Sequence, residues 1–114
     1  MHELAYAVEL VDTVEGFMKE NHLSEVSSVT LQVGEATGIV PQYMFDCWPA
    51  AIDESEHLKG CKLVIDYLPA KGVCRNCNNE FVIVPNHGKC PKCGSEEYDI
   101  NTGYEFEITE IRGR

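Results

Sequence analysis

Along residues 3–20 apolar side chains return every third or fourth position: Leu4, Ala7 or Val8, Val11, Val14 and Met18, with Leu10 and Phe17 widening the stripe. That period predicts an amphipathic helix. Glu3, Glu9, Asp12 and Glu15 load its N-terminal half, where the positive end of the helix dipole favours acids, and Asn21-His22 reads as its exit. Over 26–35 the period drops to two. Val29, Leu31 and Val33 alternate with Ser28, Thr30 and Gln32, which predicts a strand with one buried and one wet face. Residues 36–40 form a loop, and Pro41 suits the first position of a second helix, where no backbone donor is needed. Tyr43, Met44, Phe45 and Trp48 supply a heavy apolar face. Pro49 is expected to end or kink this helix near residue 48, with a further turn over Ala50–Glu56. After a turn at Lys59-Gly60, residues 61–68 read as a second strand carrying Leu63, Ile65 and Tyr67 on one face. A last strand spans Tyr104–Ile111, where Tyr104, Phe106 and Ile108 alternate with Glu105, Glu107 and Thr109. Ile111 falls out of phase, which predicts a bulge or the strand's end.

That last strand sets the architecture. Alone it cannot bury Tyr104, Phe106 and Ile108, whereas the two earlier strands and two helices offer a surface that can. The expected fold class is therefore α+β: a small three-stranded sheet packed by two helices, with an inserted zinc-ribbon-like module. The main domain takes residues 1–70 and 102–114, and the insert takes residues 71–101. Inside the insert, Glu80–Val84 and Glu97–Ile100 are short strands separated by the turn Pro85-Asn86-His87-Gly88.

Composition narrows the function classes. With 114 residues, 44% of them apolar, the chain is globular. No apolar run is long enough to span a membrane and no signal peptide opens the chain. Six cysteines without an export signal point to a reducing compartment, the cytoplasm, and to metal binding before disulfides. The formal net charge is −10, and in residues 1–70 twelve acids face three bases. A nucleic-acid binder would show a basic face instead. Only between 71 and 93 does the balance reverse, with Lys71, Arg75, Lys89 and Lys92 against Glu80. Four thiolates around a dication carry excess negative charge, so these cations read as local compensation, with a small phosphate-binding patch as the other reading.

The chemistry concentrates in Cys74-Arg75-Asn76-Cys77 and Cys90-Pro91-Lys92-Cys93-Gly94, separated by twelve residues. Two Cys-x-x-Cys pairs at that distance can place four thiolates around one ion. Soft sulfur donors select zinc or iron over magnesium and calcium. Gly94 suits the positive φ that such knuckles need. Three functions share this pattern: a zinc-ribbon nucleic-acid module, a rubredoxin-like electron carrier, and a metal-handling protein with a structural ion. A second candidate site lies at Met1-His2-Glu3. The amine of Met1, the amide and imidazole of His2, and the amide or carboxylate of Glu3 can chelate an ion in fused rings. Planar nitrogen donors favour Ni(II) or Cu(II) over zinc, and the first amides of a helix lack intrahelical partners, so binding there breaks no ladder. A histidine at position 2 also occurs in many frayed, solvated termini. Cys47 and Cys61 have no partner at metal spacing and read as buried apolar residues. His22 and His57 sit near helix ends, and His87 lies on a turn between the cysteine pairs, as an exposed residue or an auxiliary ligand. No Ser/His/Asp set, phosphate loop or paired-carboxylate motif is present, so no catalytic residue is assigned.

Met1-His2-Glu3, the acidic amphipathic helix, a strand ending near Val33-Gly34-Glu35, Gly60-Cys61-Lys62-Leu63 and the late Cys-x-x-Cys pairs together resemble the HypA/HybF family of hydrogenase nickel-incorporation proteins. The resemblance spans essentially the whole chain. It implies a nickel site at Met1, His2 and Glu3 and a structural zinc held by Cys74, Cys77, Cys90 and Cys93. It also implies delivery of Ni(II), as transient cargo, to the large subunit of [NiFe]-hydrogenase together with the GTPase HypB, some members serving urease as well. No nucleic acid, no membrane and a monomer or homodimer are the accompanying expectations.

Overall fold

The computed structural model describes residues 3–114. In chain order it contains α1 (Glu3–Glu20), β1 (Val26–Gly34), α2 (Pro41–Asp53), β2 (Lys62–Leu68), β3 (Lys71–Cys74), β4 (Glu80–Val82), β5 (Tyr98–Thr102) and β6 (Phe106–Gly113). The class is α+β. The strands form two separate three-stranded sheets, ordered β2-β1-β6 and β4-β3-β5.

The first sheet follows from its connections. β1 and β2 are parallel, with Val29 opposite Leu63 and Leu31 opposite Ile65, so the chain needs a crossover, and α2 supplies it. β6 closes the other side antiparallel to β1. Val29, Leu31 and Val33 are fully buried on the face that α1 and α2 cover, with Ala7, Leu10, Val11, Val14 and Met18 from α1 and Met44, Trp48 and Ala51 from α2. The Trp48 indole donates to the Cys61 carbonyl at 2.9 Å, which satisfies its one polar atom inside the core. The phase slip before Ile111 is a bulge: Thr30 faces Glu110 while Leu31 faces Ile108, so Thr109 is the extra residue and Ile111 returns to the inner face.

Several expectations change. The buried stripe of α1 is rotated, leaving Leu4 49% exposed and Val8 and Phe17 also in solvent. On α2 only Met44 and Trp48 of the expected face are buried, while Tyr43 and Phe45 are exposed. α2 does not end at Trp48 but runs through Pro49 to Asp53. The carbonyl that Pro49 deprives of a partner is that of Phe45, on the same exposed flank, where water can serve it. Tyr104 is not in a strand and is 63% exposed, because Gly103, at φ +128°, turns the chain just before it.

The second sheet centres on β3, which pairs antiparallel with β4 and β5. Its core is small: Cys74, Phe81, Ile83 and Cys90 are buried, with Cys77, Tyr98 and Ile100 packed against them. The Phe81 and Tyr98 rings meet edge-to-face at 5.6 Å. Gly72 lies between the flanking strands, where a Cβ would meet Ile83 Cδ1 at 2.9 Å and Tyr98 Cδ2 at 3.0 Å.

Two chain crossings join the sheets, and both are tied to the turn after β1. The Glu35 carboxylate accepts from the Ala70 amide at 3.0 Å. Gly34 donates to the Glu105 carbonyl at 2.7 Å and Ala36 to the Gly103 carbonyl at 2.8 Å.

Candidate metal centre

The two cysteine pairs lie on equivalent turns. After Cys74 ends β3, the Asn78 amide reaches back to the Cys74 carbonyl at 2.9 Å. After Cys90, the Gly94 amide reaches the Cys90 carbonyl at 2.8 Å. Both closing residues are left-handed, Asn78 at φ +62° and Gly94 at +77°. Gly94 is legible as such a position in the sequence, whereas Asn78 was missed. Its signal was its residue type, since asparagine tolerates this region better than most residues with a side chain. Each turn is closed again from beyond: Cys74 donates to the Asn79 carbonyl and Cys90 to the Ser95 carbonyl, both at 2.9 Å.

These turns bring the sulfurs of Cys74, Cys77, Cys90 and Cys93 within 4.8 Å of one another. The short approaches cross between the turns, Cys74 to Cys93 at 3.5 Å and Cys77 to Cys90 at 3.6 Å. None of the four is in a disulfide. A tetrahedral zinc with Zn–S bonds of about 2.3 Å sets its sulfurs about 3.8 Å apart. The cluster is thus close to the size a thiolate-bound ion needs, and the donor set is the soft one that zinc or iron takes. Burial is uneven: Cys74 and Cys90 are buried, Cys77 is half-buried and Cys93 is exposed, so the centre faces solvent along its Cys93 edge. Among the described residues no histidine joins the cluster, and His87 sits on an exposed left-handed turn outside it.

The thiols divide their protons unevenly. For Cys90, burial opposes ionisation, but the backbone amides of Cys93 and Lys92, the Asn79 side chain and the Cys77 thiol favour the thiolate and bring it to about 6. The Asn79 side-chain nitrogen lies 3.6 Å from that sulfur. Cys93 is lowered by the Asn76 side chain and the Ser95 amide. Cys77 goes the other way, to about 12: the Asn79 amide favours its thiolate, but burial and sharing of its proton with Cys90, Cys93 and Cys74 outweigh that. The shifts thus favour the thiolate at Cys90 and Cys93 and the protonated thiol at Cys77. A dication among the four sulfurs removes the need for that proton. Asn76 and Asn79, which support the sulfurs from outside the ligand set, were not found from the sequence.

For two of the four cations expected to compensate the thiolates, the expectation is revised. Arg75 Nε and an amino group both donate to Asp99 Oδ1, at 3.1 and 2.6 Å, and hold that carboxyl below its ordinary range. Lys89 lies 3.7 Å from Glu96. Both cations answer carboxylates of the same sheet region rather than the thiolates.

Of the N-terminal candidate residues, Met1 and His2 lie outside the described residues. Glu3 opens α1 and is only 5% exposed, and its Oε2 has no hydrogen-bond partner among the described residues. A buried carboxylate oxygen without a partner is costly. Glu3 lines an open pocket of about 840 Å³ with Leu4, Ala5, Val8, Tyr43, Asp46 and Cys47. Cys47 is half-buried in that wall rather than fully buried as expected. Cys61 is buried, and burial raises its thiol. Among the described residues no helix is long and apolar enough to cross a membrane.

Comparison with known proteins converges. A family profile described as "Hydrogenase/urease nickel incorporation, metallochaperone, hypA" matches residues 1–113. The chain is 35% identical over 112 residues to the hydrogenase maturation factor HypA of Chlorobium luteolum, covering 97% of this chain and 94% of the relative. It is 29% identical over 113 residues to the hydrogenase maturation factor HybF of Morganella morganii, covering 99% of both. The solution structure of the Ni metallochaperone HypA from Helicobacter pylori shares the fold, with a TM-score of 0.69 at 23% identity over 99% of this chain and 97% of that one.

Proposed function

The chain belongs to the HypA family of hydrogenase and urease nickel-incorporation metallochaperones, and from that premise we propose that it carries Ni(II) at Met1-His2-Glu3 and delivers it to the large subunit of [NiFe]-hydrogenase. The observation that carries the reading is the family match itself, because residues 1–113 include both the Met-His-Glu start and both cysteine pairs. The buried Glu3 oxygen, without a partner among the described residues and beside an open pocket, supports it, since an arriving ion or its bound water would satisfy that atom.

In this reading Cys74, Cys77, Cys90 and Cys93 hold a structural zinc. Four thiolates close the coordination sphere, so the ion serves the fold and takes no substrate. The open N-terminal site is the labile one, which suits a cargo. The main domain comprises 1–70 and 102–114, and the zinc-binding insert comprises 71–101. The protein is a carrier and not a catalyst. It works in the cytoplasm with the GTPase HypB, and with urease accessory proteins where urease is the client.

The test is a nickel titration followed calorimetrically on zinc-loaded protein whose sequence starts at Met1. Native protein is expected to take up one Ni(II) while keeping its zinc. His2→Ala is expected to lose nickel binding and retain zinc, and a tag that blocks the Met1 amine should weaken binding in the same direction. Unchanged nickel affinity in His2→Ala would remove the N-terminal site from the account.

A further inference from the structure

The four thiols of the cysteine centre differ in their access to solvent. Cys74 and Cys90 are buried and Cys77 is half-buried, whereas Cys93 is exposed. The Cys74 sulfur lies across the centre from that of Cys93, at 3.5 Å. A small oxidant arriving from solvent therefore meets Cys93 first, and a second thiol already lies against the sulfur it would modify. We propose that Cys93 and Cys74 form a peroxide-responsive disulfide switch that expels the bound zinc. The inference rests on the zinc reading above and concerns what the same centre does under oxidation.

The chemistry balances with hydrogen peroxide as the only co-reactant. The Cys93 thiolate attacks one peroxide oxygen, the O–O bond breaks, hydroxide leaves, and the sulfur becomes a sulfenic acid. The Cys74 thiolate then attacks the Cys93 sulfur, forming the S–S bond and displacing a second hydroxide. Two thiolates have given up two electrons, and one peroxide has become two hydroxides. Zinc is left with Cys77 and Cys90 alone and is lost to any competing chelator. Cys74 need not be exposed for this, because its electrophile is delivered by its neighbour.

The pairing has a structural consequence that a bond within either Cys-x-x-Cys turn would not have. Cys74 ends β3, the central strand of the second sheet, and Cys93 lies on the second turn. A Cys74–Cys93 bond keeps the two turns joined after the ion has gone. The oxidised form then holds the ligands near one another, so reduction in the presence of zinc restores the centre. The other cysteines lie outside this route: Cys61 is buried behind Trp48, and Cys47 lines the pocket at the start of α1.

The sequence makes the test direct. Cleavage after Lys71, Arg75, Lys89, Lys92 and Arg112 puts the four cysteines on four different tryptic peptides: 72–75, 76–89, 90–92 and 93–112. The zinc content of full-length protein is measured first; protein purified without zinc would end the zinc reading itself. Zinc-loaded protein is then treated with limiting hydrogen peroxide, zinc is followed with a colorimetric chelator, and disulfides are mapped by mass spectrometry. The expected result is one zinc released per disulfide, a linked pair of peptides 72–75 and 93–112, and recovery of bound zinc on adding dithiothreitol and zinc. In a second measurement, zinc-loaded protein treated with substoichiometric N-ethylmaleimide should carry the label on peptide 93–112 before any other of the four. Zinc retained under peroxide, a first disulfide joining 76–89 to 90–92, or first labelling at Cys77 would each overturn the switch while leaving the zinc assignment standing.

Discussion

The two sheets are the same size in strands and opposite in what holds them. The helix-covered sheet has sixteen buried residues in one cluster, running from Ala7 on α1 to Leu63 on β2. The cysteine sheet has four, and two of those are Cys74 and Cys90. Polypeptides below about 40 residues usually need a metal or a crosslink to fold, and the segment 71–101 is of that size. One region is therefore held by apolar burial, and the other, in the zinc reading, by the ion its four sulfurs would hold. On the zinc reading, the difference teaches that a metal centre can substitute for a core.

The strongest way to break that comparison is to strip zinc from protein loaded with it. Zinc-finger peptides gain about 10–16 kcal/mol from structural zinc, more than a core of only four buried residues is expected to supply. A chelator under reducing conditions is expected to abolish hydrogen-exchange protection in β3, β4 and β5 and leave Val29 and Leu31 in β1 protected. Equal loss in both sheets would show that the two do not differ in this way.

The reciprocal change is smaller. Leu31 is fully buried at the centre of the first sheet. Leu31→Ala leaves a cavity there and is expected to cost about 2–5 kcal/mol, read as a lower urea midpoint for the far-ultraviolet signal of α1 and α2. Zinc content should stay at one per chain until that transition is complete.

How much of this contrast was legible in the sequence depends on what each region is built from. β1 was readable because Val29, Leu31 and Val33 alternate cleanly with polar residues, and of the two readings of the Ile111 phase slip, bulge or strand end, the bulge holds. β3 was not readable. Its inward residue Gly72 has no side chain to enter a periodicity, and the reason it is glycine, the approach of Ile83 and Tyr98, is tertiary. Tyr104 misled because it continues the alternation of Phe106 and Ile108, while the turn at Gly103 cuts the strand short. The exposed flank of α1 was misplaced because Leu4 and Val8 fit the helical period as well as Ala7 does, and only packing separates them. The clustering of the four cysteines was legible because their spacing is local. The asparagines that support it were not, since their contacts depend on the turns having formed.

A third test acts on the link between the regions. A Cβ on Gly34 would lie 2.0 Å from the Gly103 carbonyl oxygen. The obstacle is backbone, so no rotamer relieves it. Gly34→Ala is expected to push the crossing at Gly103 away and break the bonds from Gly34 to Glu105 and from Ala36 to Gly103. Overpacking of this kind costs about 1–3 kcal/mol. Each sheet should keep its own hydrogen-exchange pattern, while the radius of gyration, 17.6 Å over Cα atoms, should rise in small-angle scattering.

The smallest expected effect sharpens the comparison from the cysteine side. Arg75, just after β3, bonds to Asp99 on β5, so the pair ties the central strand to one edge, but both side chains are well exposed. Exposed pairs are weakened by solvent and salt. The sign of the pH dependence is clear. Arg75 holds the folded Asp99 carboxyl below its ordinary value of 3.8, so the contribution is complete above that value and lost as pH falls through the lower folded one. That acid limb cannot be read in zinc-loaded protein, because protons compete with zinc for the thiolates and acid releases the ion. Salt is therefore the usable variable. Asp99→Asn is expected to lower the temperature at which β5 amides lose protection by a small amount in dilute buffer at pH 7, and by nothing measurable in 1 M salt. A large, salt-independent loss would mean that this sheet depends on its surface as well as on its metal, and the contrast with the helix-covered sheet would have to be redrawn.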